Sequence, residues 1–157
     1  MTETYVALDL ETTGLNPESD RIIEIGAVRF TSGGSELETF QRLVNPGREI
    51  PPFIERFTGV TNAMVEGEPV IGAIAAEVEA FIGGSTVVGH NIGFDLHYLA
   101  REGVRPRVAA LDTAELSRYL APGLRSHGLA DVARELGVEV AGHHRALSAA
   151  LTAAAVF

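Results

Sequence analysis

The chain has 157 residues, 46 % of them hydrophobic, no cysteine and a formal net charge of −9 at pH 7. These values predict one domain over residues 1–157 with a substantial core, and they exclude disulfides and thiolate metal sites. No apolar run approaches the ~20 residues that would span a bilayer. We expect a cytoplasmic domain, because the amino terminus lacks the signal-peptide pattern. At the other end, the apolar helical pattern still continues at Phe157, which suggests a domain cut from a longer chain.

Five strands and five helices are predicted from apolar periodicity and turn residues. The strands are Tyr5–Leu10, Arg21–Phe30, Leu37–Val44, Thr86–Val88 and Val108–Leu111. The helices lie between Pro69 and Gly83 and over Phe94–Arg101, Thr113–Leu120, Leu129–Leu136 and Ala146–Val156. Pro51-Pro52 is interpreted as a chain break. Three consecutive strands followed by alternating helices and strands predict a mixed α/β sheet covered by helices.

The negative charge is concentrated in one part of the chain. Residues 1–90 contain five Arg and fourteen acidic residues, whereas residues 91–157 contain seven of each. This distribution disfavours a broad phosphate-binding surface. It is compatible with a small metal-dependent site, because bound cations reverse the local sign of a carboxylate cluster.

Two carboxylates follow the first apolar run, in the segment Asp9-Leu10-Glu11. Alternate residues of a strand project from the same face, so these side chains are expected about 6.6 Å apart along the strand. Two negative charges held this close repel each other unless a cation lies between them. The pair therefore predicts a divalent-metal site at the end of the first strand.

Two later segments also contain candidate site residues. Asp95, in His90-Asn91-Ile92-Gly93-Phe94-Asp95, is expected in the first turn of a helix, where a carboxylate is favoured. His143-His144-Arg145-Ala146 precedes the last helix, and histidine can accept a proton near neutral pH. Taken alone, each segment is better explained as an ordinary helix start.

Taken together, the order Asp-x-Glu-Thr-Thr-Gly, His-Asn-x-x-Phe-Asp and His-Arg-Ala resembles the DnaQ-like (DEDDh) family of 3′→5′ exonucleases over essentially the whole chain. The resemblance implies a ribonuclease-H-like mixed five-stranded sheet flanked by helices, and two Mg²⁺ or Mn²⁺ ions. It implies that Asp9, Glu11 and Asp95 bind these ions and that His144 takes a proton from the attacking water. The substrate contacts implied are Thr12, Thr13, Gly14, Leu15, His90 and Asn91.

One position departs from the pattern of that family. The family has a fourth carboxylate five residues after the histidine, which is Ala149 counted from His144, or Ser148 counted from His143. A missing metal ligand predicts very slow hydrolysis with binding retained. Three explanations stay open: deliberate replacement of the acid, a natural loss, or another group such as Ser148 or water in its place.

The preferred function is therefore a metal-dependent exonuclease that acts on single-stranded DNA 3′ ends, with RNA as a second substrate class and a polymerase or helicase as partner. A non-catalytic module of the same fold that binds a nucleic-acid end or a protein is the main alternative. Endonucleolytic cleavage of the ribonuclease-H type is a third possibility, and a circular substrate separates it from exonuclease action.

Overall fold

The computed structural model describes residues 3–140, 142 and 144–157, apart from the side chains of Glu36 and Leu37. Its strands form one mixed sheet in the order β3-β2-β1-β4-β5. They are β1 (Thr4–Thr12), β2 (Ile22–Thr31), β3 (Glu36–Leu43), β4 (Thr86–Gly89) and β5 (Ala110–Asp112). The first three are antiparallel neighbours, and β4 and β5 run parallel to β1. The predicted mixed sheet and its five strands are confirmed, with small shifts at the strand ends.

Helices cover the sheet, and within the described residues none is long and apolar enough to cross a membrane. They are α1 (Pro52–Thr58), α2 (Asn62–Val65), α3 (Ile71–Ile82), α4 (Ile92–Arg101), α5 (Thr113–Leu120), α6 (Leu129–Glu135) and α7 (Ala146–Val156). The five predicted helices are confirmed as α3 to α7.

The interpretation of Pro51-Pro52 as a break was wrong, because α1 begins there. Pro52 occupies the first turn of the helix, where the missing proline N–H costs no hydrogen bond. Gly59 then ends α1 in a left-handed conformation, with φ of 73°. The short α2 follows after Thr61, whose side chain accepts a hydrogen bond from the Met64 N–H.

The two faces of β1 pack against different helices, and this arrangement positions the site. Val6 and Leu8 contribute to a core cluster that includes residues of α3 and α4. Ala7 belongs to a second cluster with Ala150 of α7. Because side chains alternate along a strand, the face that carries Ala7 continues to Asp9 and then Glu11. The two acidic residues therefore lie on the face of the sheet that α7 covers.

Candidate active site

The two acidic residues of β1 open into one cavity. The pairing of β1 with β2 is regular through Asp9 and Glu11 and is interrupted only between Glu11 and Thr12. Both acids line a cavity of about 290 Å³. The other residues that line it are Leu10, Leu129, Ala130, Val140, Gly142, His144, Ala149 and Thr152. The structure thus brings the β1 acids, the candidate base and the position of the missing acid together.

The third acid, Asp95, approaches β1 from α4. Its side chain is only 3 % exposed, and Oδ1 accepts a hydrogen bond from the Leu10 N–H at 2.9 Å. Asp95 lies in the first turn of α4, as the sequence predicts. It is not among the residues that line the cavity, but its charge acts on Asp9 and raises the pKa of that carboxyl group.

Burial and mutual repulsion raise the pKa of all three carboxyl groups. Burial is the main cause at Asp9, whose pKa lies well above its usual range, and Asp95, Glu11 and Glu24 add to the effect. Burial followed by the charge of Glu24 raises the pKa of Glu11 to about 7, against an opposing effect of Arg145. Burial raises the pKa of Asp95 to about 8. All three carboxyl groups can therefore be ionised together near neutral pH only if a positive charge lies nearby.

His144 and Ala149 reach the cavity from the start of α7. His144 is exposed and has a left-handed backbone, with φ of 56°. Its ring lies 4.2 Å, between ring centroids, from the ring of Phe57 in α1. Ala149 lines the cavity directly and Ser148 does not. His143, from which the alternative count starts, lies outside the described residues.

An ion pair that the sequence analysis missed holds the start of α7 to β2. Glu24 is fully buried and accepts hydrogen bonds from Arg145 Nε at 2.9 Å and from Arg145 Nη2 at 2.5 Å. It also accepts one from the Ala146 N–H at 3.2 Å. The available signal was a single acid in the apolar strand segment Ile22-Ile23-Glu24-Ile25, because a charge at a core position requires a partner.

The loop after β1 is held together by its own side chains. The Thr12 hydroxyl donates to the Gly14 carbonyl at 2.6 Å, and the Thr13 hydroxyl donates to Asp20 Oδ1 at 3.1 Å. A Cβ atom on Gly14 would lie 2.3 Å from Asp20 Oδ2, so this glycine makes room for Asp20. Leu15 is 85 % exposed at the tip of the loop. Substrate contacts by these four residues stay a prediction, in which Leu15 presents the accessible apolar surface.

The other two predicted substrate residues lie at the start of α4. His90 uses both ring nitrogens within the protein, with Nδ1 2.9 Å from Thr113 Oγ1 and Nε2 2.8 Å from the His127 carbonyl. Asn91 is exposed in a left-handed conformation, and its N–H donates to Asp112 Oδ1. Asp112 also caps α5, the structural role that a carboxylate just before that helix predicts.

The donor set is suited to a hard divalent cation. Carboxylate oxygens are the ligands that Mg²⁺ and Mn²⁺ prefer, and Asp9, Glu11 and Asp95 place three carboxyl groups around the end of β1. Across the part of the chain that the structure describes, no three His, Asp or Glu side chains already form a group that could hold a metal ion.

Comparisons with known proteins identify the family of this chain. The Exonuclease family model matches residues 6–157. The DNA polymerase III subunit epsilon of Aquifex aeolicus is 38 % identical over 98 % of this chain and 78 % of its own length. The 3′-5′ exonuclease DinG of Bacillus subtilis is 39 % identical over 99 % of this chain, which spans only 17 % of that protein. The chain likewise spans 11 % of the PolC-type DNA polymerase III of Clostridium perfringens, at 36 % identity.

Solved structures extend the similarity to the fold. A structure of exonuclease X with 5′ overhanging duplex DNA has a TM-score of 0.83 at 27 % identity, covering 97 % of this chain and 87 % of that one. A structure of E. coli exonuclease I with an oligonucleotide has a TM-score of 0.82 at 21 % identity, covering 99 % of this chain and 40 % of that one. The ribonuclease-H-like mixed sheet is thereby confirmed. The chain belongs to the Exonuclease family, and its similarity to the DnaQ-like proofreading exonucleases extends over nearly its whole length.

Proposed function

We propose that this fold is that of a metal-dependent 3′→5′ exonuclease which releases nucleoside monophosphates from the 3′ ends of single-stranded DNA, in proofreading or repair. The observation that carries the proposal is the single cavity shared by Asp9, Glu11 and His144. RNA is the second substrate class. Two Mg²⁺ or Mn²⁺ ions are the proposed cofactors, with Asp9, Glu11 and Asp95 as their ligands.

The chemistry follows from what these residues can do. Bound divalent ions would stabilise the negative charge that develops on the attacked phosphate. His144 accepts a proton as a water oxygen bonds to phosphorus. The bond from phosphorus to the 3′ oxygen of the preceding nucleotide then breaks, and that oxygen takes up a proton from solvent. A nucleoside 5′-monophosphate leaves, and the shortened strand keeps a 3′ hydroxyl.

Position 149 limits this activity in the chain as it stands. Ala149 lines the cavity beside Asp9 and Glu11 but offers no oxygen to a cation. A lost metal ligand weakens metal binding and disorders the water that the metal would position, and each ~1.4 kcal/mol lost from transition-state stabilisation is tenfold in rate. We therefore expect binding of a 3′ end with little hydrolysis.

The substitution Ala149→Asp tests the proposal. The new carboxylate would face the cavity, and we expect the rate of mononucleotide release to rise at least ~100-fold with Mg²⁺ or Mn²⁺. The measurement follows a 3′-labelled single-stranded oligonucleotide by gel electrophoresis, with and without EDTA. Ala155→Asp is the matched control, because it adds the same charge to an exposed site of α7 outside this cavity.

Two results would contradict the proposal. If A149D releases no nucleotide with either metal, the site lacks more than its fourth ligand. If A149D cuts a circular single strand as fast as a linear one, the activity does not need an end. Binding of linear DNA without release by A149D would favour the non-catalytic module, which the missing acid at position 149 also suits.

Partners and location follow the relatives. We propose a DNA polymerase as the partner, because similar proteins are named as a DNA polymerase III subunit or a PolC-type polymerase. A helicase is the alternative partner. We propose the cytoplasm as the location, where replication proteins of bacteria act on DNA. Co-purification of tagged chain with the replicative polymerase of its host would test the first of these proposals.

A further inference from the structure

Glu24 forms an unusually complete set of hydrogen bonds for a residue outside the cavity. Its carboxylate has no solvent exposure and holds the Arg145 guanidinium through three hydrogen bonds from two nitrogen atoms. Gln41 Nε2 and the Ala146 N–H fill the remaining acceptor positions. Arg145 itself is 36 % exposed and directly follows the candidate base His144. Arg145 therefore has a fixed position close to the cavity.

Glu11, a candidate metal ligand, is a second carboxylate on the same face of the sheet as Glu24. Glu11 and Glu24 are directly opposite each other in the pairing of β1 with β2, a relation that places Cβ atoms about 4.5–5.5 Å apart. Both carboxylates therefore lie within the reach of one guanidinium group. Among the described residues, Arg145 forms an ion pair with Glu24 and none with Glu11.

The choice of partner matters because Arg145 and a divalent cation compete for the same carboxylate. A guanidinium that binds a carboxylate bidentately occupies both of its oxygens. If Arg145 turned to Glu11, it would occupy the oxygens that a cation needs and add a positive charge beside the ion. The ion pair with the buried Glu24 keeps Arg145 from turning to Glu11.

We propose that Glu24 is a positioning residue that holds Arg145 away from Glu11 and so keeps Glu11 available to a divalent cation. This inference rests on the proposed function, in which Glu11 binds metal. It assigns the acid of β2 a role distinct from that of the cavity acids. It also explains why Arg145 adjoins an acidic cluster and, within the described residues, forms its ion pair with Glu24.

The test measures Mn²⁺ binding in the unsubstituted chain and two variants, by the electron paramagnetic resonance signal of free Mn²⁺. Glu24→Gln releases Arg145 to Glu11, and we expect Mn²⁺ affinity to fall about 10–100-fold, the range typical for loss of an outer partner of a metal ligand. Adding Arg145→Gln removes the competitor, and affinity should return to within about threefold of the original. Arg145→Gln alone is avoided, because it would leave a buried charge without a partner.

Glu77→Gln is the matched control, because it removes the acid from another arginine pair, that of Arg42 and Glu77, both part-exposed. It should leave Mn²⁺ affinity unchanged. A merely structural role for Glu24 predicts that the double variant is at least as impaired as E24Q. That outcome, or E24Q affinity equal to that of the original chain, would overturn the inference.

If the original chain binds no Mn²⁺, that result counts against the proposed function and not against the role of Glu24. A second measurement, which needs no metal, then tests that role. The Arg145 Nε–H proton gives a slowly exchanging nuclear magnetic resonance signal while it is hydrogen-bonded. We expect this signal to persist in E24Q, because Arg145 moves to Glu11, and to disappear when Glu11→Gln is added. Loss already in E24Q, or persistence in the E11Q/E24Q variant, would overturn the inference.

Discussion

The three carboxyl groups around the end of β1 are costly to ionise together. Glu11, with a pKa raised to about 7, and Asp95, with a pKa raised to about 8, both favour their protonated forms near neutral pH. Burial is the first cause for each, and neighbouring acids add to it. A group with these properties takes up either protons or a cation, and its state therefore depends on pH and on metal.

We expect the metal-free chain to lose stability as the pH rises from about 5 to about 8. Glu11 has a pKa of about 7 when folded and 4.5 as its ordinary value, so between these values the folded chain binds more protons than the unfolded chain. The free energy of unfolding then falls with rising pH, by roughly 3 kcal/mol for this group. The measurement is the Tm in EDTA across this range, and Mn²⁺ should raise the Tm most at pH 8.

Glu11→Gln should reduce this pH dependence, because it removes one of the protons that the folded chain retains, while the raised pKa values of Asp9 and Asp95 keep the rest of the effect. Glu49→Gln, at an exposed position away from the cavity, is the matched control. A Tm profile of the E11Q variant that parallels that of the original chain would show that Glu11 does not carry the effect.

The sequence alone predicts the arrangement of some site residues and not of others. The difference lies in how far apart along the chain the contacting residues are. Asp9 and Glu11 share a face because of the two-residue period of a strand, which is a local property. The contact between Glu24 and Arg145 joins residues 121 positions apart, and no local pattern specifies it. The contact between the rings of Phe57 and His144 likewise depends on α1, a helix that was not predicted because it begins at a proline pair.

At the scale of elements, α7 lies unusually close to β2. A Cβ atom on Gly26 would lie 2.1 Å from the Leu147 backbone nitrogen and 2.2 Å from the Ala146 carbonyl carbon. Gly26 is directly opposite Asp9 in the sheet, as Glu24 is opposite Glu11. The start of α7 therefore sits over the pairs that contain the β1 acids, and its position decides where His144 and residue 149 meet them.

We expect Gly26→Ala to destabilise the chain by about 1–3 kcal/mol, because the added methyl group overlaps backbone atoms that cannot rotate away. Gly72→Ala is the matched control in α3, where an added Cβ meets nothing within 4 Å, and it should be neutral or stabilise by up to about 1 kcal/mol. Urea unfolding of both variants is the measurement. Equal stability of the two would show that α7 can move away from β2 without cost.

The element boundaries show where local patterns fail. Helices α5 and α7 have the predicted bounds, and α5 begins after Asp112, whose side chain accepts hydrogen bonds from the Ala114 and Glu115 N–H groups. Helix α1 was missed because two successive prolines are typical of a break, although the first turn of a helix accepts proline. The choice between these readings depends on Ile54 packing with Ile23 and Ile50, a tertiary contact.

At the scale of the whole molecule, the charge distribution opposes nonspecific DNA binding. The net charge is −9, and residues 1–90 account for all of it. A protein that binds phosphates mainly through Arg and Lys shows tight binding at low salt and a steep loss of affinity with added salt. In this chain the acids that repel DNA include those proposed to bind metal. A bound cation would change repulsion into attraction at the 3′ end only.

We therefore expect DNA binding that depends on a divalent cation and on an end. The affinity for a 5′-labelled linear oligonucleotide should rise at least ~10-fold from EDTA to Mn²⁺, because bound ions would neutralise the acidic cavity and attract a phosphate. A circular strand of the same sequence should bind weakly in both conditions. Fluorescence anisotropy provides the measurement, and slow hydrolysis allows binding to reach equilibrium.

Asp9→Asn should abolish the Mn²⁺ dependence, because it removes a cavity carboxylate that the proposal assigns to metal. Asp131→Asn, which alters an acid paired with Arg134 outside this cavity, is the matched control and should retain the dependence. Equal binding by the original chain in EDTA and in Mn²⁺ would mean that DNA binds elsewhere. Equal affinity for circular and linear strands would mean that the cavity does not recognise an end. That result would contradict the proposal that the substrate is a 3′ end.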